Sequence, residues 1–248
     1  MKQENRAGSF IVIEGPDASG KQTQTKRLVE WLRSNEIDNI DPREEERLIR
    51  SMPGNYPDPE GEQRVDDSIE DGVWHLSFPT YGQTPGGRVV DSYLKGRLGD
   101  RENLSLQEKV DIYAADRKQF KTLMEQYISR GGIIVCDRYR EANLIHQLVG
   151  FEGEAWNEKL EEIKSVDSDL PDADEVFYLD ISPEEARQRM SEKEKDIHEL
   201  DDEYMKASNL NGRKVAEHED WSVIDGERTP EEVEKDLRER VSRIVTGL

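Results

Sequence analysis

Residues 10–25 read FIVIEGPDASGKQTQT. A short apolar β-type run breaks into a glycine-containing loop, then a lysine, then a helical pattern, and that order decides the fold. In the phosphate-loop pattern G-x-x-x-x-G-K-[ST], Gly15, Gly20 and Lys21 fall in register, while the last position holds Gln22, with Thr23 one residue late. The hydroxyl that would touch a magnesium ion is missing from its usual position. Successive backbone N–H groups and the following helix N-terminus form an anion nest, and Lys21 adds a mobile positive charge over the β and γ phosphates of a nucleotide. Asp17 is the first acid beside such a phosphoryl group. It would bind magnesium through water or hold a sugar hydroxyl, or else only shape the turn.

Outward from this loop, four more β-type runs follow the one at Phe10–Glu14: Val73–Phe78, Ile133–Asp137, Val176–Asp180 and Trp221–Asp225. Each leads through a turn or polar stretch into a helical pattern. The alternation predicts an α/β fold, a five-stranded parallel sheet with helices on both faces and ligands at the carboxyl ends of the strands. Those ends carry Glu14, Pro79, Asp137, Asp180 and Asp225, of which Asp180 and Asp225 read as helix caps. The first helix shows Thr25, Leu28, Val29 and Leu32 on one face. Residues 36–72 hold 13 acids, 4 arginines and 4 prolines with little apolar periodicity, and read as an acidic insertion outside the core of a single domain spanning 1–248.

A long helix is expected over Leu106–Arg130, capped by Ser105, with the stripe Leu106, Val110, Tyr113, Phe120, Met124 and Tyr127. Arg117 falls on that apolar stripe. A buried guanidinium is costly unless paired, so an internal carboxylate or an anionic, hydrogen-bonding ligand should meet it. Tyr113, one turn earlier, offers a stacking face. The third strand ends IIVCDRY, where Asp137 occupies the position in which a phosphate-loop protein keeps its magnesium-orienting carboxylate, with Arg138 next to it. Asn143, His146 and Gln147 follow at spacings that aim at least two polar side chains at one ligand. Residues 184–202 carry Arg187, Arg189, Lys193 and Lys195, either a lid over a triphosphate or a solvated helix of alternating charge.

The formal net charge is −21, from 56 Asp and Glu against 35 Lys and Arg, and 33% of residues are hydrophobic. Such a surface repels nucleic acid and anionic membrane. It resembles halophile proteins, in which concentrated salt shortens the Debye length to about 3 Å or less; the other reading is an acidic mesophilic protein with a disordered tail. The single cysteine, Cys136, excludes an intrachain disulfide and reads as a buried strand thiol. With no apolar stretch near 18 residues and no basic-then-apolar leader, a cytoplasmic setting is expected.

The motifs EGPDASGKQTQ, FPTYGQ with YLKG, YAADR, CDRYREANLIHQ, YLDISPEEARQRM, KDIHE and WSVIDG together resemble thymidylate kinases, in order and spacing, over nearly the whole chain except the acidic insertion. The resemblance implies a P-loop nucleoside monophosphate kinase fold, with Mg2+ as cofactor and ATP as co-substrate. It implies that Gly15, Ser19, Gly20, Lys21, Gln22 and Thr23, with Arg187 and Arg189, bind ATP. Asp17 would lie near the sugar and phosphates, Asp137 would orient magnesium with Asp17, and Arg138 would bind phosphate between donor and acceptor. Tyr113 would stack on thymine, Arg117 would meet its carbonyl edge, Tyr81 would reach the acceptor phosphate, and Asn143 would contact the base, beside Gln147.

The chain departs from that pattern at three positions. Gln22 offers magnesium only a neutral carbonyl oxygen. Ala18 leaves the loop without an arginine, which in the family goes with a basic lid. His146 stands where many members have a tyrosine that crowds the ribose 2′-hydroxyl. The expected reaction is ATP + dTMP to ADP + dTDP, by a chain that the resemblance makes a homodimer. An acceptor phosphate already anionic at pH 7 needs no strong base, whereas a deoxynucleoside kinase would need one, and Phe78–Pro79 supplies no carboxylate. Alternatives are a kinase of another pyrimidine monophosphate, and a nucleotide-binding regulator without turnover.

Overall fold

The computed structural model describes residues 8–35, 43, 46, 69–99, 103–190 and 202–246. Its centre is β1 (Ser9–Glu14), buried along its whole length. A strand covered on both faces needs a continuous apolar run, which SFIVIE nearly is. Side chains alternate across it: Phe10 and Val12 join one core, Ile11 and Ile13 the other. β4 (Ile133–Asp137) and β5 (Glu175–Asp180) flank β1 in parallel, β3 (Val73–Ser77) pairs with β4, and β6 (Ser222–Asp225) with β5.

The sheet has six strands, in the order β2-β3-β4-β1-β5-β6. The five expected strands are present and parallel. The sixth, β2 (Ile69–Glu70), pairs antiparallel with β3. It corrects both the strand count and the end of the acidic insertion, since residues 69–70 belong to the sheet and 71–72 to its hairpin turn. Asp71 and Gly72 both have positive φ, 51° and 74°, the geometry of a tight hairpin turn, and Asp-Gly is a usual signal for it. Residues 36–42, 44, 45 and 47–68 of the expected insertion, and Lys193 and Lys195 of the expected lid, lie outside the described residues.

Helix α1 (Lys21–Ser34) buries Thr25, Leu28, Val29 and Leu32. With α9 (Pro230–Thr246), through Val233, Leu237 and Val241, it covers one face of the sheet. The other face is covered by α4 (Lys121–Ser129), through Leu123, Met124, Tyr127 and Ile128. Helix α2 (Pro85–Leu94) is capped by Thr84, whose side chain accepts from Gly87 N. It leads to α3 (Leu106–Lys118), which starts at a Ser105/Glu108 capping box.

The single helix expected over Leu106–Arg130 is two, broken at Gln119–Phe120. There the Phe120 amide bonds to the Arg117 carbonyl at 3.0 Å, three residues back, while Gln119 Nε2 takes the Asp116 carbonyl at 2.9 Å. A side chain thus replaces one rung of the helical ladder. Beyond β4, α5 (Glu141–Gln147) and α6 (Gly153–Val166) share a third core with α3 and α8 (Asp202–His218), through Val110, Leu144, Trp156 and Val215. The short helix α7 (Pro183–Arg189) starts at Ser182.

Candidate active site

The loop between β1 and α1 turns on Gly15, where an added Cβ would lie 2.8 Å from the Leu179 carbonyl oxygen, and on Gly20, whose φ of 87° suits a residue without Cβ. Lys21 folds back over the loop, Nζ donating to the Pro16 carbonyl at 3.0 Å and lying 3.5 Å from Asp17. Burial and the nearby Arg138 lower its pKa to about 8, against the pull of Asp17, Asp137 and Glu14. Ser19 is buried with a hydroxyl that has no partner among the described residues. Gln22 and Thr23 are exposed on the first turn of α1.

Across from the loop, β4 delivers Asp137 and then Arg138, whose φ is 64°. Three contacts hold this turn: Arg138 N to Ile13 O at 3.1 Å, Cys136 Sγ to Arg138 O at 2.9 Å, and Tyr139 N to Glu14 Oε1 at 3.0 Å. Cys136 is thus the buried strand thiol expected, its pKa pushed well up by burial. Arg138 Nη2 donates to Asp17 Oδ1 at 2.5 Å, and Nη1 lies 3.1 Å from His146 Nε2. Burial pushes the Asp17 carboxyl up, but Arg138 and Lys21 together outweigh it and hold the group well below the carboxylate range. Asp137 is buried, and burial raises its pKa despite Lys21 and Arg138; its Oδ1 has no partner among the described residues.

Beside the loop lies a cavity of about 770 Å³. Asp17, Tyr81, Tyr113, Arg117, Arg138, Asn143, His146 and Gln147 all line it, which is every residue expected from sequence to hold the acceptor. Tyr113 meets Tyr93 edge to face at 5.9 Å. The stripe arginine has an internal carboxylate: Arg117 Nη2 donates to Asp167 Oδ2, with both side chains almost fully buried. It lines the cavity from within that pair. Asn143 is 3% exposed, and its Nδ2 donor has no partner among the described residues.

A protein-family model described as thymidylate kinase matches residues 68–237. The chain belongs to the thymidylate kinase family. It is 28% identical over 246 residues to a thymidylate kinase of Plasmodium falciparum, covering 98% of this chain and 94% of the relative. It is 27% identical to one of Caenorhabditis elegans, covering 76% of this chain and 70% of the relative, and 26% identical to a probable thymidylate kinase of Pyrococcus abyssi, covering 97% and 99%. The matched family segment runs from β2 into α9. It starts after the loop between β1 and α1, which the similarities covering 98% and 97% of the chain include.

For a thymidylate kinase site, sequence reading passed over three residues that matter here. Asp116 is buried, accepts from Thr80 N at 2.7 Å, Thr80 Oγ1 at 2.6 Å and Thr84 Oγ1 at 3.0 Å, and so fixes the loop that carries Tyr81. Tyr93 packs on Tyr113. Tyr204, on α8, lines the cavity, and its ring lies nearly parallel to that of His146. Of the expected lid cations, Arg189 pairs with Glu185 at 2.7 Å, and neither Arg187 nor Arg189 lines the cavity.

Magnesium would find hard oxygen donors in Asp137 and Asp17, which suits its chemistry. The partnerless Oδ1 of Asp137 is a buried carboxylate oxygen that a cation would satisfy. Among the described residues, no group of three His, Cys, Asp or Glu is arranged to hold a metal unaided. An ion there would be oriented by these carboxylates and would need its remaining ligands from nucleotide phosphates and water.

Proposed function

We propose that this chain, an ATP-dependent thymidylate kinase, seats dTMP in the cavity and the ATP phosphates on the loop, with Arg138 between them. The observation that carries this reading is the convergence of all eight expected acceptor residues on one cavity next to the loop. The thymine ring would stack on Tyr113, with Arg117 and Asn143 meeting its polar edge. The partnerless Nδ2 of Asn143 supports that assignment, because a buried donor seeks an acceptor.

Transfer then needs little covalent help. An oxygen of the dTMP phosphate attacks the γ-phosphorus, the bond to the β,γ-bridging oxygen breaks, and ADP leaves with the electron pair. Lys21 and the loop amides offset charge on the donor phosphates, and Arg138 screens the repulsion between the two anions while Asp17 aims its guanidinium. Mg2+, when bound with ATP, would draw charge from the donor phosphates. Asp137 would orient it, Asp17 assisting.

Gln22, exposed at the start of α1, replaces a hydroxyl ligand with at most a carbonyl oxygen. Arg187 and Arg189 would reach the donor phosphates from α7. A homodimer and a cytoplasmic setting belong to the same proposal and rest on family resemblance. The test is Arg138→Ala, assayed for dTDP formation at saturating ATP. The reading expects a fall in kcat/KM for dTMP of about two orders of magnitude or more with ATP binding retained; wild-type turnover of dTMP would overturn it.

A further inference from the structure

The hydrogen-bond chain through Asp17 and Arg138 continues past the phosphate site. Arg138 Nη1 lies 3.1 Å from His146 Nε2. A guanidinium has only donors, so this contact requires a lone pair on Nε2, and the proton of a neutral imidazole then sits on Nδ1. Nδ1 lies 3.4 Å from the Tyr204 hydroxyl, which itself lies 3.3 Å from the His146 carbonyl oxygen. One direction satisfies these three contacts: Nδ1–H donates to the phenol oxygen, and the phenol proton goes to the carbonyl. Burial, and then Arg138, lower the His146 pKa to about 4, so the ring is neutral at pH 7.

The two rings are set by different elements. His146 is on α5, Tyr204 is on α8, and they face each other at 6.5 Å with 19° between their planes. Asn211 fixes that approach. Its Nδ2 donates to the carbonyls of Leu144 at 3.0 Å and Ile145 at 2.7 Å, and its Oδ1 accepts from Trp156 Nε1 at 2.9 Å. Because Asn211, Trp156, Leu144 and Ile145 are buried, α8 cannot slide along α5 without breaking bonds that water does not replace, whereas Tyr204 itself is exposed.

We propose that Tyr204 is a positioning residue for phosphoryl transfer: it reinforces the His146 tautomer that the Arg138 contact requires, and so helps to hold the Arg138 guanidinium against Asp17 and the acceptor phosphate. The proposal rests on the reading of Arg138 as an acceptor-phosphate ligand. Tyr204→Phe keeps the ring and removes only the hydroxyl. At the usual net worth of one hydrogen bond, it should lower kcat/KM for dTMP about two- to ten-fold while the KM for ATP stays the same.

The test uses the full chain labelled with 15N-histidine, with long-range 1H–15N spectra at pH 7 and steady-state kinetics on the same preparations. The wild type should show His146 protonated at Nδ1 and bare at Nε2, and Tyr204→Phe should show a larger share of the Nε2-protonated tautomer together with the kinetic loss. In a His146→Leu background, Tyr204→Phe should cost nothing more. A proton on Nε2 in the wild type, unchanged tautomer and kinetics in Tyr204→Phe, or a full further loss in the His146→Leu background would each overturn the proposal. Arg138→Ala separates the two levels: wild-type dTMP kinetics there defeats the reading of Arg138, whereas a severe loss there beside a neutral Tyr204→Phe defeats only the role of Tyr204.

Discussion

Asp167→Asn removes one charge from the ion pair beneath the acceptor cavity and keeps the shape. Arg117 and Asp167 are each 2% exposed, so neither can fall back on water. Breaking such a pair from one side costs about 3–5 kcal/mol, because the remaining charge stays buried. The lower end applies here, since Glu141 stays within Coulombic reach of Arg117 and Asn keeps an acceptor oxygen. At roughly 2–4 °C per kcal/mol for a domain of this size, about 3 kcal/mol lowers the melting temperature by about 6–12 °C. Differential scanning fluorimetry reads this directly, and dTMP titration adds a second reading. With its carboxylate partner gone, Arg117 gains more from the ligand, so saturating dTMP should raise the melting temperature of the variant by more than that of the wild type. A variant melting within 2 °C of the wild type, which would be less than about 1 kcal/mol, would refute the claim that this pair is closed to water.

Other outcomes follow from the same geometry. Lys21→Ala should cut turnover by about two orders of magnitude or more without lowering the melting temperature, because burial already disfavours the charged amine; near-normal turnover would mean that the loop has been misassigned. Tyr113→Ala should raise the KM for dTMP about ten-fold and leave that for ATP alone, as loss of one aromatic contact would, and steady-state kinetics decide it. Burial, against the pull of Arg138, raises the Glu14 pKa from 4.5 to about 7. The folded state therefore keeps a proton that the unfolded chain has released, and this group's stabilisation, full below pH 4.5, declines up to pH 7. Glu14→Gln should remove that decline, gaining up to about 3 kcal/mol on the wild type between pH 4.5 and 8 in urea melts; parallel pH profiles would count against it.

What could be read from the chain and what could not divide by distance along it. The phosphate loop, the turn at Asp137–Arg138 and the parallel strands are local patterns, and each stands within a residue or two of its expected position. The Arg117 stripe told of a partner but not which one, because Asp167 lies 50 residues away on another element. Tyr204 meets His146 across 58 residues, and nothing in the sequence around either residue announces the contact. The break at Gln119–Phe120 has no Gly or Pro to mark it, since a glutamine side chain makes it. Strand β2 is different: Asp71-Gly72 is a hairpin signal, masked by the acidic, proline-rich stretch before it.

Release of ADP on addition of dTMP, dUMP, UMP, CMP or AMP to enzyme and MgATP, in dilute buffer and in concentrated KCl, puts the acceptor cavity and the phosphate loop to work together. Turnover should be highest with dTMP, with the ribonucleotides measuring how far His146 guards the sugar. Binding of ATP with no ADP released for any of the five acceptors would leave a nucleotide-binding protein without the kinase activity.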